Sequence, residues 1–244
     1  MCRATKAQRL HVDALEDADP MGPTPASVPD RWVCTDGSKQ HGGGRGRRQS
    51  VRDDDSPAGW AVVTIVADPW SGRQVVACAR SGRVTILPGD AEYCGATKHS
   101  NNSGELTGLL KAVLEETARG SGVVEFCVDS TYVINVATGK WRARPANGEL
   151  ARRLRNATRK LIRARGACSV RLRHVRAHTG EPGNEAADAL AKAAVKDAMM
   201  CGASQDVLDL ARRAHEQAAS ARVGHEHEHG QPAGRLVGVE SGVG

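Results

Sequence analysis

Aromatic residues are scarce, with four Trp, two Tyr and one Phe in 244 residues. That scarcity argues against base stacking as the main way this chain would hold a nucleic acid. No apolar run approaches the roughly 20 residues that cross a bilayer, so no membrane contact is expected. Residues 1–30 contain no apolar segment of the secretory kind, and Asp13, Glu16, Asp17 and Asp19 are foreign to a transit peptide. A cytoplasmic or nuclear location is therefore expected. The seven cysteines are odd in number and include no Cys-x-x-Cys pair. Four lie in apolar, strand-like runs, where a free thiol behaves as a small hydrophobe, so they read as reduced core residues rather than zinc ligands. The chain is long enough to bury a core without disulfides.

Charge is abundant and unevenly placed. The chain carries 34 Lys+Arg against 28 Asp+Glu, a formal +6, yet residues 139–176 hold 13 Lys/Arg and a single acid, Glu149. That stretch alone is +12, which leaves −6 for the remainder. A concentrated basic run is the footprint of a polyanionic partner.

Residues 1–29 mix Pro, Gly, Ala and acids without periodicity and read as a disordered leader. Ordered sequence begins near Arg31, with Trp32–Thr35 as a short strand ended by the turn signal Asp36-Gly37-Ser38. Residues 40–57 are low in complexity and read as a flexible insertion loop between strands. Strands are expected over 59–67 and 74–80, with a further one around 83–87. After Asn101-Asn102-Ser103, the spacing of Leu106, Leu109, Leu110, Val113 and Leu114 predicts a helix packed on a sheet. Val123–Val128 reads as a strand buried on both faces, followed by a short helix over 131–137. Leu150, Leu154, Ala157 and Leu161 mark a helix over 149–165 whose remaining circumference is arginine-rich. Val170–Val175 alternates as a strand, 179–183 reads as a loop, and Asn184 is placed to cap a helix over 185–198. This order describes an α/β layered fold with a mixed sheet. The domain is expected over 30–198, with a helix near 205–223 and a disordered tail completing 199–244. That helix carries a weak apolar stripe and reads as an appendage rather than a docking surface. The alternation of His225, His227 and His229 with glutamates reads as a solvated tail, with transition-metal binding as the alternative.

Four acids stand where strands end or helices begin, positions that converge on one edge of an α/β sheet. Asp36 and Asp129 close strands, while Glu105 and Asp188 are expected in first helical turns, where the helix dipole favours their ionised forms. Four carboxylates at one edge repel one another unless cations lie between them, and that many hard oxygen ligands suits Mg²⁺. Each acid taken alone has an ordinary explanation as a turn, a cap or a solvated charge, and His178 in a Gly/Pro loop reads as a surface residue. Their order and flanking residues carry more information than any one of them.

Thr35-Asp36-Gly37-Ser38, Asn101-Asn102-Ser103-Gly104-Glu105-Leu106, Val128-Asp129-Ser130-x-Tyr132-Val133 and the run from Val175 to Ala191, with its Gly-Asn-Glu-x-x-Asp core, resemble the successive signatures of type 1 ribonuclease H. They span about 31–198 and also resemble the ribonuclease H domains of retroelement reverse transcriptases. The resemblance implies the ribonuclease H-like three-layer fold, a mixed five-stranded sheet with helices on both faces. It implies hydrolysis of the RNA strand of RNA–DNA hybrids by an endonuclease that leaves 5′-phosphate and 3′-hydroxyl ends. Asp36, Glu105, Asp129 and Asp188 would hold two Mg²⁺ ions, with Mn²⁺ able to substitute, around the scissile phosphate. His178 would shuttle a proton or assist product release, so its loss should be milder than loss of Asp36. The 2′-hydroxyls would be read around Asn101 and Asn102. A DNA-phosphate pocket maps to Lys98, Ser100 and Asn147, and Trp141 would pack on the DNA backbone unless it serves the core.

There are departures from that pattern. The 40–57 insertion replaces a Gly-rich turn, position 131 is Thr rather than a longer polar residue, and no extra basic helix and loop is evident, so the Arg-rich helix 149–165 is expected to serve as substrate handle. No hybrid-binding module is expected before the domain, and a monomer is expected. Two other readings stay open: a domain working beside a reverse transcriptase or other polymerase, and a catalytically silent relative that binds duplexes.

Overall fold

The computed structural model describes residues 28–39 and 56–228. Residues 1–27 of the expected leader, 40–55 of the insertion and 229–244 of the tail, with His229, lie outside the described residues, while the backbone of His225 and His227, expected in the tail, is helical. Five strands form one sheet: β1 (Arg31–Lys39), β2 (Ala58–Ala67), β3 (Gln74–Arg83), β4 (Val124–Val128) and β5 (Val170–His174). Their order is β3-β2-β1-β4-β5. β1–β2 and β2–β3 pair antiparallel, while β1–β4 and β4–β5 pair parallel. The helices are α1 (Asn101–Arg119), α2 (Thr131–Thr138), α3 (Gly148–Arg165), α4 (Pro182–Lys196) and α5 (Gln205–Glu228). The mixed five-stranded sheet with helices on both faces is the expected α/β architecture.

Alternation along the strands divides the core in two. Val33, Trp60, Val62, Val124, Phe126 and Val128 pack under α1, α2 and α3. Cys34, Ala61, Val63, Ile65 and Cys127 face α4 and α5 on the other side. β4 is buried on both faces, as its apolar run predicts. Cys34 and Cys127 are paired in register and buried, and both are free thiols. Among the described residues, no helix is long and apolar enough to cross a membrane.

Several boundaries differ from expectation for identifiable reasons. β1 does not stop at Asp36 but continues through Gly37 and Ser38 to Lys39, because β2 supplies partners for all of them, Asp36 opposite Ala61 and Ser38 opposite Gly59. β3 absorbs the first residue of the separate strand expected over 83–87 and ends at Arg83, opposite Gly59; a last contact follows, with Val84 N–H donating to the Ala58 carbonyl at 2.8 Å, where β2 itself begins. α1 starts at Asn101, ahead of the expected point, because Ser100 and Ser103 form a reciprocal capping box. Leu114, counted in the apolar stripe, is half exposed. α4 starts at Pro182, which needs no partner for a missing N–H in the first turn, and Asn184 is buried inside the helix rather than capping it. α5 is packed: Val207 and Ala211 are fully buried on the α4 side of the sheet.

Far from the cleft described next, Glu116 is buried and ion-paired to Arg31 of β1 and Arg165 of α3, each at 2.9 Å. This ties the C-terminal ends of α1 and α3 together, so the two helices run side by side in the same direction. At their other ends, Thr97 donates through its backbone N–H and hydroxyl to the carbonyl of Ala146, just ahead of α3.

Candidate active site

Parallel pairing of β1 with β4 sets Thr35 opposite Val128, so the next residues, Asp36 and Asp129, are neighbours. Glu105 reaches them from α1 because that helix lies unusually close to β1. A Cβ on Gly37 would fall 2.1 Å from the backbone nitrogen of Glu105, and one on Gly104 would fall 2.4 Å from the carbonyl oxygen of Gly59. Glycine at 37 and 104 therefore sets the approach that brings Glu105 into place. Ligand oxygens of Asp36, Glu105 and Asp129 all lie within 4.8 Å of one another.

Asp188 comes from α4 on the opposite face. Its neighbours are His178 and Glu185, and polar atoms of these three also lie within 4.8 Å of one another. Asp36, Glu105, Asp129, His178 and Asp188 open into one cleft of about 310 Å³, lined also by Gly37, Ser38, Lys39, Asn101 and Lys192. The structure thus gathers all four expected acids, His178 and Asn101.

Burial and crowding raise the proton affinity of this cluster. Asp36 is pushed up to about 8, chiefly by burial and then by the charge of Asp129, although Gly37 N–H donates to its Oδ1 at 2.6 Å. Burial likewise raises Glu105, against a hydrogen bond from Ser130, and Asp129, against one from the buried amide of Asn184. Glu105 Oε2 is buried without a hydrogen-bond partner. Lys192 Nζ lies 2.6 Å from Asp188 Oδ2 and balances its charge.

Helix dipoles do not act on Glu105 and Asp188 as expected. Neither stands in a first turn: Glu105 begins the second turn of α1, and Asp188 is the seventh residue of α4. The effect fades within one turn, so proximity rather than helix position governs these charges. His178 is exposed and adopts φ 54°, a left-handed conformation uncommon for a non-glycine residue. Its loop is held by Thr179 Oγ1 donating to the Arg176 carbonyl at 2.9 Å and by Gly180 N–H donating to Glu185 at 3.2 Å.

The remaining expected contacts lie outside the lining of the cleft. Lys98 is exposed, Asn102 is half-buried at the start of α1, and Ser100 Oγ is engaged in the capping box. Asn147 is buried with its Oδ1 unpartnered. Trp141 is 50% exposed, which removes the core-packing alternative. The sequence assigns no site role to Glu185, Lys192 or Asn184, although Asn184 and Glu185 belong to the Gly-Asn-Glu-x-x-Asp core. Their signal was available, since Glu185 and Lys192 stand three before and four after Asp188 and must share its helical face.

A family model described as RNase H matches residues 72–196, just over half of the chain. The chain belongs to the ribonuclease H family. Solved structures similar to it include LC9-RNase H1, described as a type 1 RNase H with the type 2 active-site motif. It is 24% identical, with 72% of this chain and 75% of that one covered and a TM-score of 0.47. RNase H1 from the halophilic archaeon Halobacterium salinarum NRC-1 is 23% identical over 68% of this chain and 98% of its own, with a TM-score of 0.46. LC11-RNase H1, solved in complex with an RNA/DNA hybrid, is 18% identical over 69% of this chain and 99% of that one, with a TM-score of 0.44. No curated protein matches the chain. Within the ribonuclease H family model fall Glu105, Asp129, His178 and Asp188, while Asp36 and the whole of α5 lie outside the matched residues.

Proposed function

We propose that this ribonuclease H hydrolyses the RNA strand of RNA–DNA hybrids as an endonuclease with two divalent cations, leaving 5′-phosphate and 3′-hydroxyl ends. The observation that carries this reading is the triplet Asp36, Glu105 and Asp129, three carboxylates within 4.8 Å of one another, two of them from adjacent strands. Such a cluster is costly unless protonated or bridged by cations. The unpartnered Oε2 of Glu105 is the oxygen expected of a ligand awaiting its ion. All-oxygen ligation fits Mg²⁺, with Mn²⁺ as an alternative. Asp36, Glu105, Asp129 and Asp188 would hold the ions, which supply Lewis acidity for water attack and for departure of the 3′ oxygen.

The protein's own groups prepare that chemistry. Gly37 N–H, Ser130 and Asn184 fix the carboxylates of Asp36, Glu105 and Asp129 in turn. Lys192 holds Asp188. His178, exposed at the rim beside Glu185 and Asp188, is placed to carry a proton between the cleft and solvent. Asn101, at the mouth, reads 2′-hydroxyls of the RNA strand with Asn102. Lys98, Ser100, Asn147 and Trp141 serve the DNA strand along the rim, where the segments preceding α1 and α3 are joined by the Thr97–Ala146 hydrogen bonds.

The test is substitution. Asp36→Asn should abolish hybrid cleavage while thermal unfolding and hybrid binding persist, whereas His178→Ala should slow turnover without abolishing it. Full cleavage by the Asp36→Asn protein would overturn the assignment.

A further inference from the structure

The segment 175–181, which carries His178 from β5 to α4, holds two left-handed residues, His178 at φ 54° and Gly180 at φ 75°. Glycine takes that conformation freely, but a histidine keeps it only where its surroundings impose it. The strand end of the segment is fixed on β4. Val175 N–H donates to the Val128 carbonyl at 3.0 Å, and His174 Nε2 lies 3.0 Å from the Asp129 carbonyl. The helix end is Glu181, whose carbonyl accepts the Glu185 N–H at 3.0 Å as α4 begins. The side chain of Glu181 takes no part in capping that helix.

Each carboxylate oxygen of Glu181 instead meets an arginine of another element. Oε2 accepts from Arg222 of α5 at 2.9 Å, and Oε1 from Arg173 of β5 at 3.4 Å. The contact from α5 is the shorter one. Arg173 is also drawn away by Glu125, 2.6 Å from its Nε. The end of the His178 segment is therefore tied chiefly to a helix that lies outside the residues 72–196 matched by the family model.

The packing of α5 aims that arginine. α4 ends at Lys196 and α5 begins at Gln205, so α5 returns along α4 and brings its far part back to the start of that helix. Val207, Ala211 and His215 are buried, Ala218 is half-buried, and Arg222 stands four residues further on. Steps of three or four residues keep all five on one helix face. The buried stripe thus sets the rotation of α5, and the same face delivers Arg222 to Glu181.

We propose that α5 braces the His178 segment, with Arg222 as a positioning residue that acts through Glu181. This rests on the reading of the cleft as a hybrid-cleaving site in which His178 carries a proton. Arg222 is not among the residues that line the cleft. Its ion pair fixes the helix end of the segment, so the imidazole keeps one position beside Asp188. Without it Glu181 retains only Arg173, the segment samples more conformations, and the imidazole spends less time within reach of its proton. The acids do not depend on this brace, since Asp188 has its own partner within α4, Lys192 at 2.6 Å.

The test measures hybrid cleavage by the full chain with and without Arg222→Gln, each with His178 present or replaced by Ala, at a temperature well below every unfolding midpoint. Arg222→Gln should lower kcat about two- to fivefold, the range of an exposed ion pair, with KM and the Mg²⁺ requirement unchanged. Arg222→Lys, which keeps the charge, should restore most of the rate. In the His178→Ala protein, Arg222→Gln should cost nothing further, whereas a helix that only stabilised the domain would cost the same factor in both backgrounds. The brace is also read without substrate, because the Gly180 N–H, bonded to Glu185 at 3.2 Å, should exchange its hydrogen faster in the Arg222→Gln protein. An undiminished kcat, an equal loss with and without His178, or unchanged exchange at Gly180 would overturn the proposal. Failure of the cleft reading shows separately, as absence of cleavage by the unsubstituted chain, and the exchange measurement then still decides whether α5 holds the segment.

Discussion

Asp36 is 6% exposed and crowded by Asp129, Asp188 and Glu105, and this sets a pH dependence that can be measured without substrate. In the folded chain it keeps its proton up to about pH 8, whereas the ordinary value is 3.8. The raised value means that the unfolded chain binds fewer protons between those limits, so stability falls as pH rises through the window. Glu105 and Asp129 shift in the same direction and add to the trend. A bound cation favours the ionised forms and reverses the penalty, stabilising the fold by mass action. Thermal unfolding in chelator should therefore show a larger gain on adding Mg²⁺ near pH 8 than near pH 5, where protons compete with the ion for these carboxylates. An equal gain at both pH values would mean that the ion does not bind at this cluster.

At the scale of elements, the site depends on how tightly α1 lies against β1 and β2. Gly37, Gly104 and Gly108 face backbone atoms across that contact rather than side-chain ends that could swing aside. Gly37→Ala would drive a methyl group into the backbone of Glu105, so the start of α1 must move and carry its carboxylate with it. Overpacking of this kind costs about 1–3 kcal/mol. The expected outcome is a lowered unfolding midpoint together with a loss of Mg²⁺ affinity and turnover beyond what the stability change explains. Normal metal affinity in the Gly37→Ala protein would show that the close approach does not position Glu105. α5 shows the reverse case. It packs with small residues, Val207 and Ala211, and buries His215 to 6% exposure, so its apolar stripe is weak although the helix is seated on the domain. Arg222 of α5 also pairs with Glu181 at the start of α4, 2.9 Å away.

Across the whole molecule, local sequence patterns specify some features and tertiary pairing sets the others. Periodicity located α1 and α3, and a continuous apolar run located the doubly buried β4, because burial imposes a pattern on apolar residues. Boundaries failed where tertiary pairing overrode local signals. Asp36-Gly37-Ser38 has turn chemistry but is held in β1 by β2, and Pro182-Gly183 has loop chemistry but forms the first turn of α4. The acids were legible as a set because their flanking residues repeat the ribonuclease H signatures in order. Their proximity was not, since it depends on the β1–β4 register and on the depth to which α1 sits. Lys192 carries no sequence signature, and Glu185 has no role assigned by its motif, although helical spacing places both beside Asp188. The +12 of residues 139–176 was visible at once, but only the fold shows which cations it spends internally, as with Arg165 on Glu116. The resulting molecule keeps its crowded acids in one cleft and much of its positive charge on α3.

The most direct test of the account compares a labelled RNA–DNA hybrid, an RNA duplex and a DNA duplex, each incubated with the unsubstituted chain in Mg²⁺ or in chelator. The account predicts internal cleavage of the RNA strand of the hybrid alone, only in Mg²⁺, with 5′-phosphate ends on the products. Cleavage in chelator, equal cleavage of the DNA duplex, or an intact hybrid in Mg²⁺ would contradict it.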